Sequence, residues 1–172
     1  IVASLTSLSV YLVPLLALLK SFDAVAGEVE RGTLPLVLTY PVSRLQILLG
    51  KLLAHVAILG LATVLGYGVA GIAAIIDDRD ALAGLPSLGR VGSGCLLLGG
   101  TVARAGYALS ALTRRTSSAA GLAIGLWLAV VVLFDLALLA LIVSDAGGPL
   151  TPRILPMALL SNPADAFRIF NL

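Results

Sequence analysis

The apolar stretch Ile47–Ile76, ILLGKLLAHVAILGLATVLGYGVAGIAAII, decides the fold class of this chain. Its only basic residues are Lys51 and His55, and it holds no acidic residue. A helix that crosses a bilayer needs roughly 20 predominantly apolar residues. At about 1.5 Å of rise per residue, this stretch is longer than the hydrocarbon core is thick. We therefore predict a membrane-spanning helix that tilts or projects from the membrane.

Three further stretches have the same apolar character. They cover residues 2–19, with an expected kink at Pro14, residues 91–112, interrupted by Arg104, and residues 119–143, interrupted by Asp135. Because lipid offers no water to satisfy backbone polar groups, each stretch should be a helix. The sequence thus predicts an all-α integral membrane protein, a single transmembrane domain over residues 1–172 that is a bundle of four spanning helices.

Composition agrees with this prediction. Hydrophobic residues make up 59% of the 172 residues and charged residues only 12%, and the mean hydropathy is +1.09. A soluble domain carries about 25% charged residues, so this chain cannot cover a water-facing surface. The net charge of +2, without a basic cluster, gives no indication of nucleic-acid binding. The chain opens at Ile1 without a leader pattern, and we expect a fragment of a longer protein.

Several polar residues predict where helices begin. Ser43 and Gln46 form a capping box before the second span. Residues 116–118, Thr-Ser-Ser, offer caps for the fourth span. Asn162 followed by Pro163 is a helix start, so residues 150–172 should form two short helices divided near Ser161. The glycines inside the spans are expected to let helices pack closely; they are Gly60, Gly66, Gly68, Gly71, Gly121 and Gly125.

The distribution of basic residues predicts the orientation. Six lie in the connections after the first and third spans: Lys20, Arg31, Arg44, Lys51, Arg114 and Arg115. Four lie on the other side: Arg79, Arg90, Arg153 and Arg168. Because cytoplasmic loops carry the excess of Lys and Arg, we expect residues 20–51 and 113–118 in the cytoplasm and residues 77–90 outside.

The loop over residues 20–46 is expected to hold a short helix that docks on something else. A charged helix end over residues 28–31 is followed by a break at Gly32 and an apolar turn from Leu34, which Thr33 could cap and Pro41 would stop. One or two helical turns are too short to be stable alone. The residues leave two alternatives open, docking against a protein partner and resting on lipid headgroups.

This loop resembles the signature loop of the ABC-2 family of exporter permeases. The resemblance rests on Glu28-x-Glu30-Arg31-Gly32-Thr33-Leu34, Leu38, Pro41-Val42-Ser43-Arg44 and Leu49-Gly50-Lys51, and continues through residues 111–116 and 120–125. Within that family, residues 125–139 and 162–172 look like permeases of transporters that help mature the copper sites of nitrous oxide reductase.

The resemblance implies a function and a set of partners. It implies a multi-pass permease of the cell inner membrane, with six spans in the full-length subunit, working as a homodimer with cytoplasmic ABC ATPase subunits and a periplasmic accessory protein. It also implies the residues that couple to the ATPase: Glu28, Glu30, Arg31, Gly32, Thr33, Leu34, Leu38, Pro41 and Arg44.

The chain itself lacks the residues of an ATP site. A phosphate-binding loop reads G-x-x-x-x-G-K-[ST], and around Gly50-Lys51 the first glycine is replaced by Leu45 and the last residue by Leu52. We therefore expect a non-enzymatic subunit without a cofactor, with ATP and magnesium in the partner ATPase. The soft metal ligands Cys95, Met157 and His55 are too scattered to predict a metal site.

Arg104 and Asp135 are the candidate functional charges inside spans. A charge at the centre of a span costs roughly 2.5–3.5 kcal/mol on insertion scales, so it usually faces a partner or a wet pathway. Whether the two pair with each other is left open. Two other functions also remain, a secondary transporter or channel that uses these charges as relays, and a membrane anchor that transports nothing.

Overall fold

The computed structural model describes residues 2–37, 39, 41–77, 79–145, 148 and 150–171. Regular structure in these residues is helical throughout, which confirms the all-α prediction. Four apolar helical stretches are long enough to cross a membrane, at Ala3–Glu30, Arg44–Asp77, Leu82–Leu112 and Thr116–Asp145. Leu38 and Tyr40, in the predicted docking loop, lie outside the described residues.

The helices follow one another in this order. They are α1 (Val2–Ser21), α2 (Asp23–Glu30), α3 (Leu34–Val37), α4 (Arg44–Asp77), a 3-10 turn (Arg79–Gly84), α5 (Leu85–Leu112), α6 (Thr116–Leu128), a π-helical turn (Ala129–Leu133), α7 (Phe134–Asp145), α8 (Leu150–Ser161) and α9 (Pro163–Phe170). The fourth span is thus α6 and α7 joined by the π turn. The division of the last segment at Ser161 is as predicted.

The core of the bundle lies where α1 packs along α5. Val10 and Leu18 of α1 are buried against Cys95 and Val102 of α5, and Phe167 of α9 closes one end of the same cluster. Ser21, at the end of α1, is also fully buried and donates its hydroxyl to the Ala17 carbonyl oxygen at 2.8 Å. The hydroxyl is satisfied within its own helix, so it can be buried without a free donor.

Close helix packing involves two of the six predicted glycines and, more tightly, glycines of α5. A Cβ placed on Gly106 would lie 2.9 Å from Cβ of Ser21, and one on Gly94 would lie 2.9 Å from the Phe167 ring. At the predicted positions Gly60 and Gly71 of α4, a Cβ would lie 3.2 Å from a leucine side chain of α5. A Cβ would meet nothing within 4 Å at four predicted packing positions, Gly66, Gly68, Gly121 and Gly125.

A leucine at Gly106 is expected to destabilise the bundle, because it would push α1 away from α5. Overpacking a filled core costs typically about 1–3 kcal/mol. Gly125→Leu is the matched control, since its added side chain enters open space. Thermal unfolding of the purified protein in detergent measures the difference. Equal unfolding temperatures for the two variants and the parent would show that the α1–α5 contact is not tightly packed.

Helix α4 is only lightly attached to this core. Gly71 is its single buried residue among those described, although α4 has 34 residues. Three polar contacts join it to α1 and α5: the Tyr67 hydroxyl bonds Ser9 Oγ of α1 and lies 3.2 Å from Cys95 Sγ of α5, and the Tyr107 hydroxyl of α5 lies 2.8 Å from His55 Nδ1. Most of the α4 surface is therefore left for lipid or another protein.

Two predicted helix caps are confirmed and two are wrong. Ser43 and Gln46 exchange the bonds of a capping box at 2.8 and 3.2 Å, and Asn162 accepts from the Ala164 N–H at 3.0 Å. Thr33 instead donates its hydroxyl back to the Glu28 carbonyl oxygen at 3.4 Å. Helix α6 begins at Thr116, and its N-cap residue Arg115 makes no side-chain cap bond. Residues 116–118 lie inside the helix, too late to cap it.

Candidate functional site

Helix α2 is bonded to three of the long helices at the end of the bundle that carries α3. Its first turn is held by Ser110 of α5, a fully buried residue. Ser110 Oγ accepts from the Val25 and Ala26 N–H groups at 3.0 and 2.9 Å and donates to the Phe22 carbonyl oxygen at 2.5 Å. Two donors that a helix start leaves without partners are thereby satisfied by another span.

The second attachment joins α2 to α4 through Lys51. Its Nζ lies 2.5 Å from Glu28 Oε1 and donates to the Ala24 carbonyl oxygen at 2.7 Å. Both charged side chains are largely shielded from solvent, with exposed fractions of 27% for Lys51 and 18% for Glu28. An ion pair that is partly desolvated and also hydrogen bonded to backbone is screened less than a surface pair.

The third attachment replaces the missing cap of α6. Glu30 Oε2, at the end of α2, accepts from the Thr116 N–H at 2.7 Å and also from the Thr116 hydroxyl. A carboxylate at a helix N-terminus is favourable because the free N–H groups there carry partial positive charge. Glu30 therefore caps a helix that begins 86 residues later in the chain.

We call α2 with its three attachments, through Ser110, Lys51 and Glu30, the α2 hub. Glu28, Glu30 and Arg31 were expected, from the family resemblance, to couple to a partner, and the structure engages all three within the chain, Arg31 with Asp23 at 3.4 Å. Gly32 follows with φ of +69°, a left-handed backbone conformation that favours glycine. The chain can therefore turn sharply from the α2 hub into α3.

Helix α3 presents apolar surface next to the α2 hub. Leu36 is 66% exposed, whereas Leu34 and Thr33 are half-buried, and Pro41 and Arg44 are exposed. Leu38 lies outside the described residues. The structure therefore bonds the charged coupling residues Glu28, Glu30 and Arg31 within the chain, whereas the exposed apolar residue of α3 is Leu36, which is not one of the predicted coupling residues.

At the opposite end of the bundle, α9 places Arg168 between two carboxylates. Arg168 Nη1 lies 2.8 Å from Asp135 Oδ2 of α7 and 2.9 Å from Asp165 Oδ1 of α9 itself. Its guanidinium also lies over the Tyr11 ring of α1, 5.9 Å from the ring centre. We call Tyr11, Asp135, Asp165 and Arg168 the outer charge cluster, since the predicted orientation puts this end outside.

Asn162 and the π turn fix the geometry of the outer charge cluster. Asn162 Nδ2 donates to Asp165 Oδ2 at 2.9 Å and to the Val130 carbonyl oxygen, inside the π turn, at 2.8 Å. Single π turns inside α-helices occur frequently at functional sites. Burial, followed by the nearby Asp135 carboxylate, raises the pKa of Asp165. Arg168 offsets part of this effect on the pKa of Asp165, because its positive charge favours the ionised form of that carboxylate.

Arg104 and Asp135 do not pair, because they lie at different depths. Arg104 comes ten residues before Arg114, about 15 Å from that end of α5. Asp135 comes 19 residues after Thr116, about 28 Å from the same end of the bundle. Arg104 is exposed, and its Nε donates to the Gly100 carbonyl oxygen at 3.3 Å.

The sequence did not predict Arg168 as the partner of Asp135. Arg168 contributed only to the prediction of the orientation, as one of the basic residues on the outer side. One signal was present: Asp165 and Arg168 stand at the i, i+3 spacing that brings side chains together on a helix. The contact with Asp135 joins residues 33 positions apart in the chain and has no local sequence pattern.

The soft metal ligands remain apart in the fold. Cys95 is buried beside Tyr67, His55 is bonded to Tyr107, and Met157 of α8 is 76% exposed. The described part of the chain holds no group of three or more His, Cys, Asp or Glu residues arranged for a metal ion. A soft metal ion would need several such ligands at one point.

Arg168→Met is expected to destabilise the docking of α9 more than Asp135→Asn. Methionine would leave two carboxylates without their cation, whereas asparagine leaves the Asp165–Arg168 pair in place. Leaving a charged group unsatisfied costs about 1–3 kcal/mol or more. Limited proteolysis between α8 and α9, with thermal unfolding, measures the difference. If both variants behave alike, Asp165 does not depend on Arg168.

Comparison with known proteins identifies one family and two relatives to which this chain is similar. A family described as ABC-2 family transporter protein matches residues 5–171. The "Probable ABC transporter permease protein NosY" of Pseudomonas aeruginosa strain PAO1 is 51% identical over 173 residues, covering 99% of this chain and 62% of that protein. The protein of the same name from Stutzerimonas stutzeri is 46% identical with the same coverage. The chain thus spans less than two thirds of these relatives.

Proposed function

This chain belongs to the ABC-2 family of transporter proteins, and from that premise we propose that it is the permease part of an ATP-driven exporter. The observation that carries the proposal is the α2 hub with α3 beside it. A short helix with an outward apolar residue adjoins a helix that is bonded to α4, α5 and α6. Force applied to α3 by a partner would reach all three spans through α2.

The energy that moves α3 comes from ATPase subunits on the cytoplasmic side, which bind ATP and magnesium. Closure of these subunits on ATP pushes α3, the α2 hub transmits the displacement, and the bundle rocks to alternate access or to act mechanically on an outside partner. The complex sits in the cell inner membrane and contains a second permease copy and a periplasmic accessory protein. If the bundle had the opposite orientation in the membrane, α3 would face outward and no cytoplasmic ATPase could reach α3.

For the outer side, we propose a role in maturing the copper sites of nitrous oxide reductase. The support is the resemblance of residues 125–139 and 162–172 to permeases of such transporters, together with similarity to proteins named NosY. Because the soft ligands of the described chain lie apart, we assign the copper chemistry to a partner.

Asp135→Asn is expected to impair transport more than folding, since it loses charge but keeps the size of the side chain.

The test is purification of the intact complex through a tag on the permease, followed by measurement of ATP hydrolysis in lipid nanodiscs. Recovery of a stoichiometric ABC ATPase whose hydrolysis the permease stimulates is the expected result. A secondary transporter would instead be recovered without an ATPase and would work from an ion gradient. A membrane anchor would leave the hydrolysis rate of a bound ATPase unchanged, and either outcome would contradict the proposal.

A further inference from the structure

A cavity of about 890 Å³ opens beside the outer charge cluster, between α1, α5, α7 and α9. Part of its wall is polar or charged and part is apolar. The polar part includes Ser7, Ser87, Arg90, Asp135, Arg168 and Asn171, and the apolar part includes Ala3, Val10 and Val91. The proposed coupling mechanism makes no use of this cavity.

Several polar groups around the cavity are left without partners. Among the described residues, Arg90 makes no ion pair within 4 Å, in contrast to Arg168. Asn171 donates its Nδ2 to the Phe167 carbonyl oxygen at 2.9 Å, while its Oδ1 is buried without a donor. Because Asn171 Oδ1 has almost no accessible surface, it does not face the cavity, and among the described lining residues Arg90 is the charged group that is free to bind a molecule there.

The cavity wall carries groups of both charges, and these define the chemistry of a ligand. Arg90, with the hydroxyls of Ser7 and Ser87, supplies donors for an anion. Asp135, in a cluster of two carboxylates and one guanidinium, supplies an acceptor for a cation that carries several N–H donors. A ligand that satisfies both sets has a phosphate and a primary ammonium in one molecule, and the apolar wall would accommodate an attached hydrocarbon.

The depth of the cavity places it where such a molecule is abundant. Arg90 lies 22 residues before Leu112, the last residue of α5, which corresponds to about 33 Å along the helix. The hydrocarbon core of a bilayer is about 30 Å thick. With the Leu112 end of α5 at one interface, Arg90 therefore reaches the headgroup level of the other, and Asp135, about 28 Å from the same end of the bundle, lies just inside that level.

We propose that this cavity binds the headgroup of a zwitterionic phospholipid that carries a primary amine, of the phosphatidylethanolamine type. Arg90 with Ser7 and Ser87 holds the phosphate, Asp135 holds the ammonium, and Ala3, Val10 and Val91 contact the start of the acyl chains. The proposal does not depend on ATPase coupling or on which end of the bundle faces the cytoplasm.

The intact complex, delipidated in detergent, is titrated with phosphatidylethanolamine, with phosphatidylglycerol and with water-soluble phosphoethanolamine, and bound species are counted by native mass spectrometry. Arg90→Gln removes the cation and is expected to weaken phosphatidylethanolamine binding about tenfold, the value of one charge-assisted hydrogen bond. The matched control is Arg114→Gln, an exposed arginine at the other end of α5 that should bind like the parent.

The outcomes test the ammonium contact and the phosphate contact separately. Preference for phosphatidylethanolamine over phosphatidylglycerol, lost in Asp135→Asn, supports the ammonium contact, and equal binding of the two lipids would overturn it. Phosphoethanolamine that binds as tightly as the lipid would show that a soluble phosphate ester, not a membrane lipid, is the ligand. Equal lipid retention by Arg90→Gln, Arg114→Gln and the parent would overturn the site itself.

Discussion

Leu36→Asp is expected to release the ATPase subunits from the permease while leaving the four long helices inserted and folded. Leu36 is 66% exposed on α3, so aspartate there costs little within the chain itself. A partner that buries Leu36 in a groove would instead have to bury an unpaired carboxylate. Residues at the centre of such contacts contribute about 2 kcal/mol or more to binding, so retention of the ATPase should fall by an order of magnitude or more.

The measurement is the amount of ATPase that copurifies with the tagged permease. Ile76→Asp is the matched control, because Ile76 is 81% exposed and lies at the opposite end of α4. Leu34→Asp should release the ATPase as well, with some loss of stability, since Leu34 is half-buried. Full ATPase retention by both α3 variants would mean that α3 rests on lipid headgroups and that the proposed coupling surface is elsewhere.

Glu30→Ala is expected to keep the ATPase bound but to uncouple it. The variant removes both bonds to Thr116, which are the hydrogen bonds that join α2 to α6 in the described part of the chain. Attachments through Ser110 and Lys51 remain, so the α2 hub still holds α3 in place. Stimulation of ATP hydrolysis by the permease should therefore fall toward the rate of the free ATPase, while copurification stays close to that of the parent.

A second substitution separates coupling from simple helix capping. Loss of the cap alone destabilises α6 by about 1 kcal/mol, and Arg115→Asp supplies a cap from the N-cap position of α6 itself. The double variant Glu30→Ala/Arg115→Asp should recover thermal stability and stay uncoupled, because α2 still lacks its hydrogen bonds to α6. If the double variant also recovers stimulation, Glu30 serves only to cap α6 and transmits no force.

Local patterns in the sequence were sufficient to predict much of this fold. The spans follow from apolar length, since lipid selects for that property residue by residue. The Ser43–Gln46 box and the Asn162 cap depend on residues two or three positions apart, which a sequence shows directly. The break at Gly32 was equally visible, because the left-handed conformation there favours one residue type.

Contacts between distant residues could not be predicted in the same way. Glu30 and Thr116 are 86 positions apart, and the predicted cap of α6 was wrong because another helix supplies it. Asp135 contacts Arg168 only once α9 has packed against α1, α5 and the π turn. The glycine prediction was confirmed for Gly60 and Gly71 and was wrong for the other four positions, because close contacts depend on which faces of the helices meet, and spacing within one helix does not contain that information.

The pairing of α1 with α5 has a consequence for how the protein is made. Helix α1 ends at Ser21 and its principal partner ends at Leu112, so 91 residues separate the completion of the two. At a synthesis rate of about 5–20 residues per second, α1 waits roughly 5 to 20 seconds in the membrane before α5 is available. During that interval α2 also lacks Ser110, which satisfies two of its N–H groups. The nascent chain therefore needs the insertion machinery, or lipid, to shield α1 until the third span leaves the ribosome.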